Sequence, residues 1–196
     1  DERGVTSLAE SGVILGAING ALAGTMVRAA GDVSADGIAY LLVAEPGGLG
    51  TAPEGFDTGI GAPAEPWAGA VHVVLGPVTS VVSLGTTATI VRGDYANQGL
   101  SDMAVLGDQD GDGRSEVAIA FNRDNDRGTD AGTVAIFTSP VTGNLTLDDA
   151  VHIGAAGPGD QAGTAIAALG DVNGDGIDDI AITAPFAESK PPSSPF

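Results

Sequence analysis

The sequence predicts an all-β protein of repeated units of short strands, and three observations carry that prediction. Thirty-one glycines and 11 prolines in 196 residues punctuate the chain too often for long helices. No stretch combines helical apolar spacing with capping residues. Three segments share one plan: Ile14-Leu15-Gly16 leading to Gly31-Asp32, Val91-Arg92-Gly93 leading to Gly107-Asp108, and His152-Ile153-Gly154 leading to Gly170-Asp171. The spacings Gly16 to Asp32, Gly93 to Asp108 and Gly154 to Asp171 are 16, 15 and 17 residues, the self-similarity expected of a repeat array.

Within each unit the elements follow in order. A strand of small residues precedes the acidic loop (Gly24–Ala30, Ser101–Leu106, Gly163–Leu169), and a short apolar strand follows it (Ala39–Ala44, Val117–Phe121, Ile180–Ala184). A third strand starts after a glycine, at Ala70–Leu75 and Thr133–Phe137. A fourth run, Val78–Leu84 or Thr87–Val91 in one unit and Asn144–Ile153 in the next, leads onward. Four short strands with turn signals between them predict the four-stranded antiparallel blades of a β-propeller. The units are 1–92, which includes a preceding strand and a Gly/Pro/Glu-rich insertion at about 45–67, then 93–153, and a truncated 154–188. Residues 189–196 read as a Pro/Ser-rich tail. Three units are fewer than the four to eight blades that close a ring. An incomplete propeller is therefore expected, with remaining blades or another chain as partner.

Hydrophobic residues make up 43% of the chain and aromatics 4%, so the core must come from Ala, Val, Ile and Leu. A formal charge of −19 disfavours nucleic acid or an anionic membrane as partner and suits a chain that gathers divalent cations. With no Cys there are no disulfides or thiolate metal sites. The opening Asp1-Glu2-Arg3 shows no secretory signal. The uncharged run Gly12–Val27 is shorter than the roughly 20 apolar residues of a membrane span, and no span is expected.

The acidic loops carry the chemistry. Asp108, Asp110, Asp112 and Glu116 in one, and Asp171, Asn173, Asp175 and Asp179 in the other, stand at positions 1, 3, 5 and 9. Alternate residues of a tightly curled loop point inward together, and the glycine after position 5 permits the turn. Position 7, Arg114 or Ile177, then needs to offer only its backbone carbonyl, so its side chain is free to vary. Hard oxygen donors of this kind predict Ca2+. An EF-hand keeps a bidentate acid at position 12 and runs into a helix. Here position 12 is Ile119 or Ile182 inside strand-like sequence, so these are calcium loops within β-hairpins. A metal-free Asp/Asn/Gly turn is the alternative. The first loop has Asp32, Ser34 and Asp36, but Tyr40 at position 9 and Ala35 in place of a glycine. It is expected to keep the turn and to have lost the ion.

With loops and flanks in place, the chain resembles the FG-GAP repeat family of integrin α N-terminal propellers and bacterial surface proteins. Gly163–Pro185 carries the resemblance best, with Ala162-Gly163 where the family has Phe-Gly and Thr183-Ala184-Pro185 where it has Gly-Ala-Pro. The second unit has Gln98-Gly99 and Ala120-Phe121-Asn122 at those places, and the first has Ala23-Gly24 and Ala44-Glu45-Pro46. The resemblance covers about residues 12–185. It implies a propeller of about seven blades, calcium between the first two strands of some of them, and adhesion or ligand recognition.

Other motifs weigh less. Arg92-Gly93-Asp94 spells an integrin-recognised tripeptide, but Gly93 is already explained by the repeat. Asn144-Leu145-Thr146 is a glycosylation sequon in a turn after Gly143. His72 and His152 lack a positioned partner in sequence and read as structural or surface residues. Trp67 either anchors the insertion or makes a binding contact. No nucleophile elbow, zinc helix or phosphate loop is present, so no catalytic residue is assigned. The sequence thus predicts a non-catalytic, calcium-binding module of a secreted or cell-surface protein with a protein or glycan ligand. Its rivals are blades of a secreted hydrolase or lyase whose catalytic domain lies elsewhere, and a structural spacer.

Overall fold

The computed structural model describes residues 12–16, 21–47, 68–154 and 157–188. Most of the insertion, Trp67 and the tail lie outside them. The described residues contain 13 strands and no α-helix, and none of their helices is long and apolar enough to cross a membrane.

Strands β2 (Val27–Gly31), β3 (Tyr40–Glu45), β4 (Ala70–Leu75) and β6 (Thr89–Arg92) form one antiparallel sheet. A second sheet repeats it with β7 (Leu100–Val105), β8 (Val117–Phe121), β9 (Thr133–Phe137) and β11 (Val151–Gly154). A third begins with β12 (Ile166–Gly170) and β13 (Asp179–Ile182). These are the expected blades, although the described residues close no ring. The predicted third strands match β4 and β9, and the second strands fall within a residue or two of β3, β8 and β13.

The fourth run differs from expectation. It is not one strand but two, split by a 3-10 turn whose leucine is buried: Leu84 in Leu84–Thr86 and Leu147 in Leu147–Asp149. In the first unit β5 (Val81–Ser83) precedes the turn and β6 follows; in the second, β10 (Asn144–Leu145) precedes it and β11 follows. The earlier member reaches back to the preceding unit. It pairs in parallel, β5 with β1 (Val13–Leu15) and β10 with β6. Strands β1 and β6 are thereby each covered by a strand from the next unit, which gives the first complete sheet five strands, while β11 stays at the edge of its sheet among the described residues. Asn144 consequently opens a strand rather than lying in a free turn, though it is exposed.

The blades stack face to face. Strand β8 is buried throughout, and its side chains alternate between two cores. Val117, Ile119 and Phe121 join Leu42, Val71, Val91 and Phe137 in the layer shared with the first sheet. Ala118 and Ala120 face β12–β13 in a layer with Ala104, Val134 and Ile166. Alanines fit there because the third unit approaches closely: a methyl group on Gly163 would fall 2.9 Å from Ala120 Cβ. Scarce aromatics are thus compensated by short side chains and close backbone approach.

Two polar features join the units. Asp102 on β7 accepts from Arg28 of β2 at 3.2 Å and from the Ile166 backbone N–H of β12 at 3.0 Å, linking the first strands of the three units. In the first sheet, His72 and Glu45 are fully buried, with Nε2 and Oε2 3.0 Å apart. Thr87 Oγ1 donates to the Leu84 carbonyl at 2.8 Å, so its contact with His72 Nδ1, also 2.8 Å, has the ring nitrogen as donor. His72 is therefore a core residue locked at both nitrogens. His152 is exposed and contacts the Leu147 carbonyl at 2.6 Å.

Candidate metal centre

Each acidic loop joins the first two strands of a unit, and all three share one hydrogen-bond plan. The position-1 carboxylate caps the loop from inside. Asp108 Oδ1 accepts from Gly111 N at 2.6 Å and Asp112 N at 3.1 Å, and Oδ2 accepts from Gly113 N at 2.7 Å. Asp171 accepts from Gly174, Asp175 and Gly176 at 2.6, 3.1 and 2.9 Å. Asp32 accepts from Asp36 and Gly37 at 3.1 and 2.8 Å. The glycine after position 5 has φ of +84, +87 and +91 at Gly37, Gly113 and Gly176, the left-handed conformation that makes it necessary. Ala35 takes φ +65 where the other loops have glycine, so the first loop holds the same turn at some strain.

These N–H donors favour the ionised acid. Chiefly the Gly113 N–H holds the Asp108 carboxyl below the usual carboxylate range, and the Gly176 N–H does so for Asp171. The carboxylates of Asp108, Asp110 and Asp112 offer oxygens all within 4.8 Å of one another. Two oxygens on one cation at about 2.4 Å cannot be more than about 5 Å apart, so this spacing fits a shared ion.

Glu116 lies outside that group of three. It is fully buried at the foot of the loop, and Oε2 accepts from Gln109 N at 2.6 Å. Its other oxygen, Oε1, is buried and accepts no hydrogen bond within 3.5 Å among the described residues, although the Ser139 backbone N–H also acts on this carboxyl. Burial pushes its carboxyl up, and the charges of Asp110 and Asp108 add to this. Arg114 is exposed; its N–H donates to Asp112 Oδ1 at 2.8 Å, and its guanidinium lies 3.3 Å from Asp112 Oδ2.

In the third loop the Asn173 amide bridges Asp175 Oδ2 at 3.1 Å and Asp179 Oδ1 at 3.2 Å, so these three side chains converge. Asp179 Oδ2 also accepts from Val172 N at 2.9 Å, as Glu116 does from Gln109. Ile177 donates its N–H to Asp175 Oδ1 at 2.9 Å, and its side chain is exposed. In the first loop, Tyr40 supplies a hydroxyl in place of the closing acid. It donates to Asp36 Oδ2 at 2.7 Å and is the main cause holding that carboxyl below its ordinary range.

Several residues escaped the sequence reading. Gln109 links two loops, Asp102 links three strands, and Asp124 is buried where it accepts from Gln98 Nε2 at 2.6 Å and Tyr95 OH at 3.2 Å. Gln98 stands at the family's Phe position, so only that departure signalled a polar core there. Arg92 ends β6 with its Nε buried, and Asp94 N donates to Gln98 Oε1 at 2.7 Å. The Arg92-Gly93-Asp94 tripeptide therefore belongs to a strand end and its turn.

No curated protein matches the chain significantly. Among family models, the FG-GAP repeat matches residues 162–190. That segment spans β12, the third acidic loop and β13. The third unit of this chain is an FG-GAP repeat.

Proposed function

We propose that the chain is a calcium-binding, non-catalytic recognition module of an extracellular or surface protein, with two cation loops that fix hairpin geometry at the blade edge. FG-GAP repeats typically occur in extracellular or surface proteins. The observation that carries the reading is the second loop, where the carboxylates of Asp108, Asp110 and Asp112 offer oxygens within 4.8 Å of one another. Three carboxylates held this close repel one another, and a cation between them would offset that repulsion. Asp108, Asp110, Asp112, Glu116 and the Arg114 carbonyl would hold one ion. Asp171, Asn173, Asp175, Asp179 and the Ile177 carbonyl would hold the other. Calcium suits both, since every donor is a hard oxygen. The first loop holds none in this reading, because the Tyr40 hydroxyl already engages Asp36. Recognition of a protein or glycan ligand falls to loops at the blade edges, the insertion at about 45–67 among them.

The test is thermal unfolding of wild type, Asp112→Asn and Asp175→Asn in calcium and in chelator. A native-state ligand adds about 2.7 kcal/mol at a hundredfold excess over Kd. Each variant should lose stability in calcium and little in chelator. Equal losses in both would refute the reading.

A further inference from the structure

We infer that the two cation loops are coupled across the blade boundary by Gln109, a positioning residue that ligates neither ion. This rests on the calcium reading above and adds a regulatory property to it. Gln109 occupies position 2 of the second loop, between Asp108 and Asp110. Its backbone N–H holds Glu116 Oε2 at 2.6 Å, and its side-chain Nε2 donates to the Asp178 carbonyl at 2.7 Å. Asp178 is position 8 of the third loop, between the Ile177 carbonyl and the Asp179 carboxylate, both assigned to the other ion. One residue thus touches the closing acid of one site and the backbone between two ligands of the other.

The contact is close packed on its other side. A methyl group on Gly107, just before the first ligand of the second loop, would fall 1.9 Å from Asp178 Oδ2. Position 2 does not do this in the other loops. Val33 is buried and its carbonyl accepts from Val141 N at 2.7 Å, while Val172 is exposed.

An ion in the third loop fixes residues 177–179, and with them the carbonyl that Gln109 grips. Gln109 then spends less time away from the position that presents Glu116. The second ion meets a loop already ordered, which is positive coupling through shared conformational entropy. By linkage the effect is reciprocal. One hydrogen bond of ordinary net strength supports a coupling of about three- to tenfold in affinity.

The experiment is calcium calorimetry on the 196-residue chain and three variants: Asp175→Asn, Gln109→Ala and the double variant. Loss of the third-loop site through Asp175→Asn should weaken the second-loop site about fivefold in the Gln109 background. The same change should leave that site's affinity unaltered in the Gln109→Ala background. A merely structural Gln109 would weaken binding without abolishing this difference. A second measurement needs no change at Gln109. In Asp108→Asn, which disables the second loop, calcium should shift the side-chain amide resonances of Gln109. Two independent sites in wild type, or an unmoved amide, would overturn the coupling and leave the calcium reading intact. No calcium binding at all would overturn both.

Discussion

Replacing Glu116 by Gln should stabilise the chain without calcium and leave its stability nearly unchanged with calcium. In the metal-free chain, Glu116 is a fully buried carboxylate with one oxygen bonded to Gln109 N and one that accepts no hydrogen bond within 3.5 Å among the described residues. Glutamine keeps the shape and the acceptor for Gln109 N, while removing a charge that burial and the neighbouring Asp110 and Asp108 disfavour. An unsatisfied buried polar group costs on the order of 1–3 kcal/mol and a charged one more, so a neutral amide is better tolerated there even though its NH2 finds no acceptor. A gain of about 2 kcal/mol in chelator would raise Tm by roughly 4–8 °C for a chain of this size. With calcium, the variant has lost an anionic ligand and should bind about 10- to 100-fold more weakly. At a hundredfold excess over the wild-type Kd, binding adds about 2.7 kcal/mol to the wild type and about 0.4 kcal/mol to a variant a hundredfold weaker. The two effects then nearly cancel, and Glu116→Gln gains nothing in calcium. Differential scanning fluorimetry at neutral pH, in calcium and in chelator, reads both arms. A variant destabilised equally in the two conditions would refute both the cost assigned to the buried charge and the role of Glu116 as a calcium ligand.

Three further outcomes follow from the geometry. Asp102→Ala removes acceptors for Arg28 and for the Ile166 N–H, and should cost about 2 kcal/mol in chemical denaturation; a change below about 0.5 kcal/mol would show that the first strands of the three units do not depend on it. His72→Ala removes a fully buried ring bonded at both nitrogens and should cost about 2–5 kcal/mol, read as a lower denaturation midpoint; a neutral result would refute its place in the core. In chelator, stability should have two phases as the pH falls. Glu116, held above its ordinary range, gains stability as it protonates through its folded value, whereas Asp108 and Asp171, held below theirs, lose it as the pH falls through their lower folded values. Stability falling steadily from neutral pH would contradict the assignment for Glu116.

The acidic loops were legible because their chemistry repeats at fixed spacing: Asp108 and Asp171 occupy equivalent turns with nearly identical hydrogen bonds. Strands such as Val117–Phe121 were legible because an apolar run buried on both faces leaves little choice of structure. The division of Asn144–Ile153 into two strands was not, because it depends on Leu147 burying itself against the preceding unit. That is a tertiary contact with no local signature. Gln109 was invisible for a similar reason, since a glutamine between two aspartates reads as solvated until Asp178 is placed beside it. His72 reads in sequence as structural or surface, and it is structural; its partners, Glu45 on β3 and Thr87 just after the 3-10 turn, are too distant in sequence to decide between the two.

The most direct test of the account is calcium titration of the metal-free chain by calorimetry, with thermal unfolding followed in parallel. The account predicts two bound ions per chain and a Tm that rises with calcium. A well-folded chain that binds no calcium would contradict it.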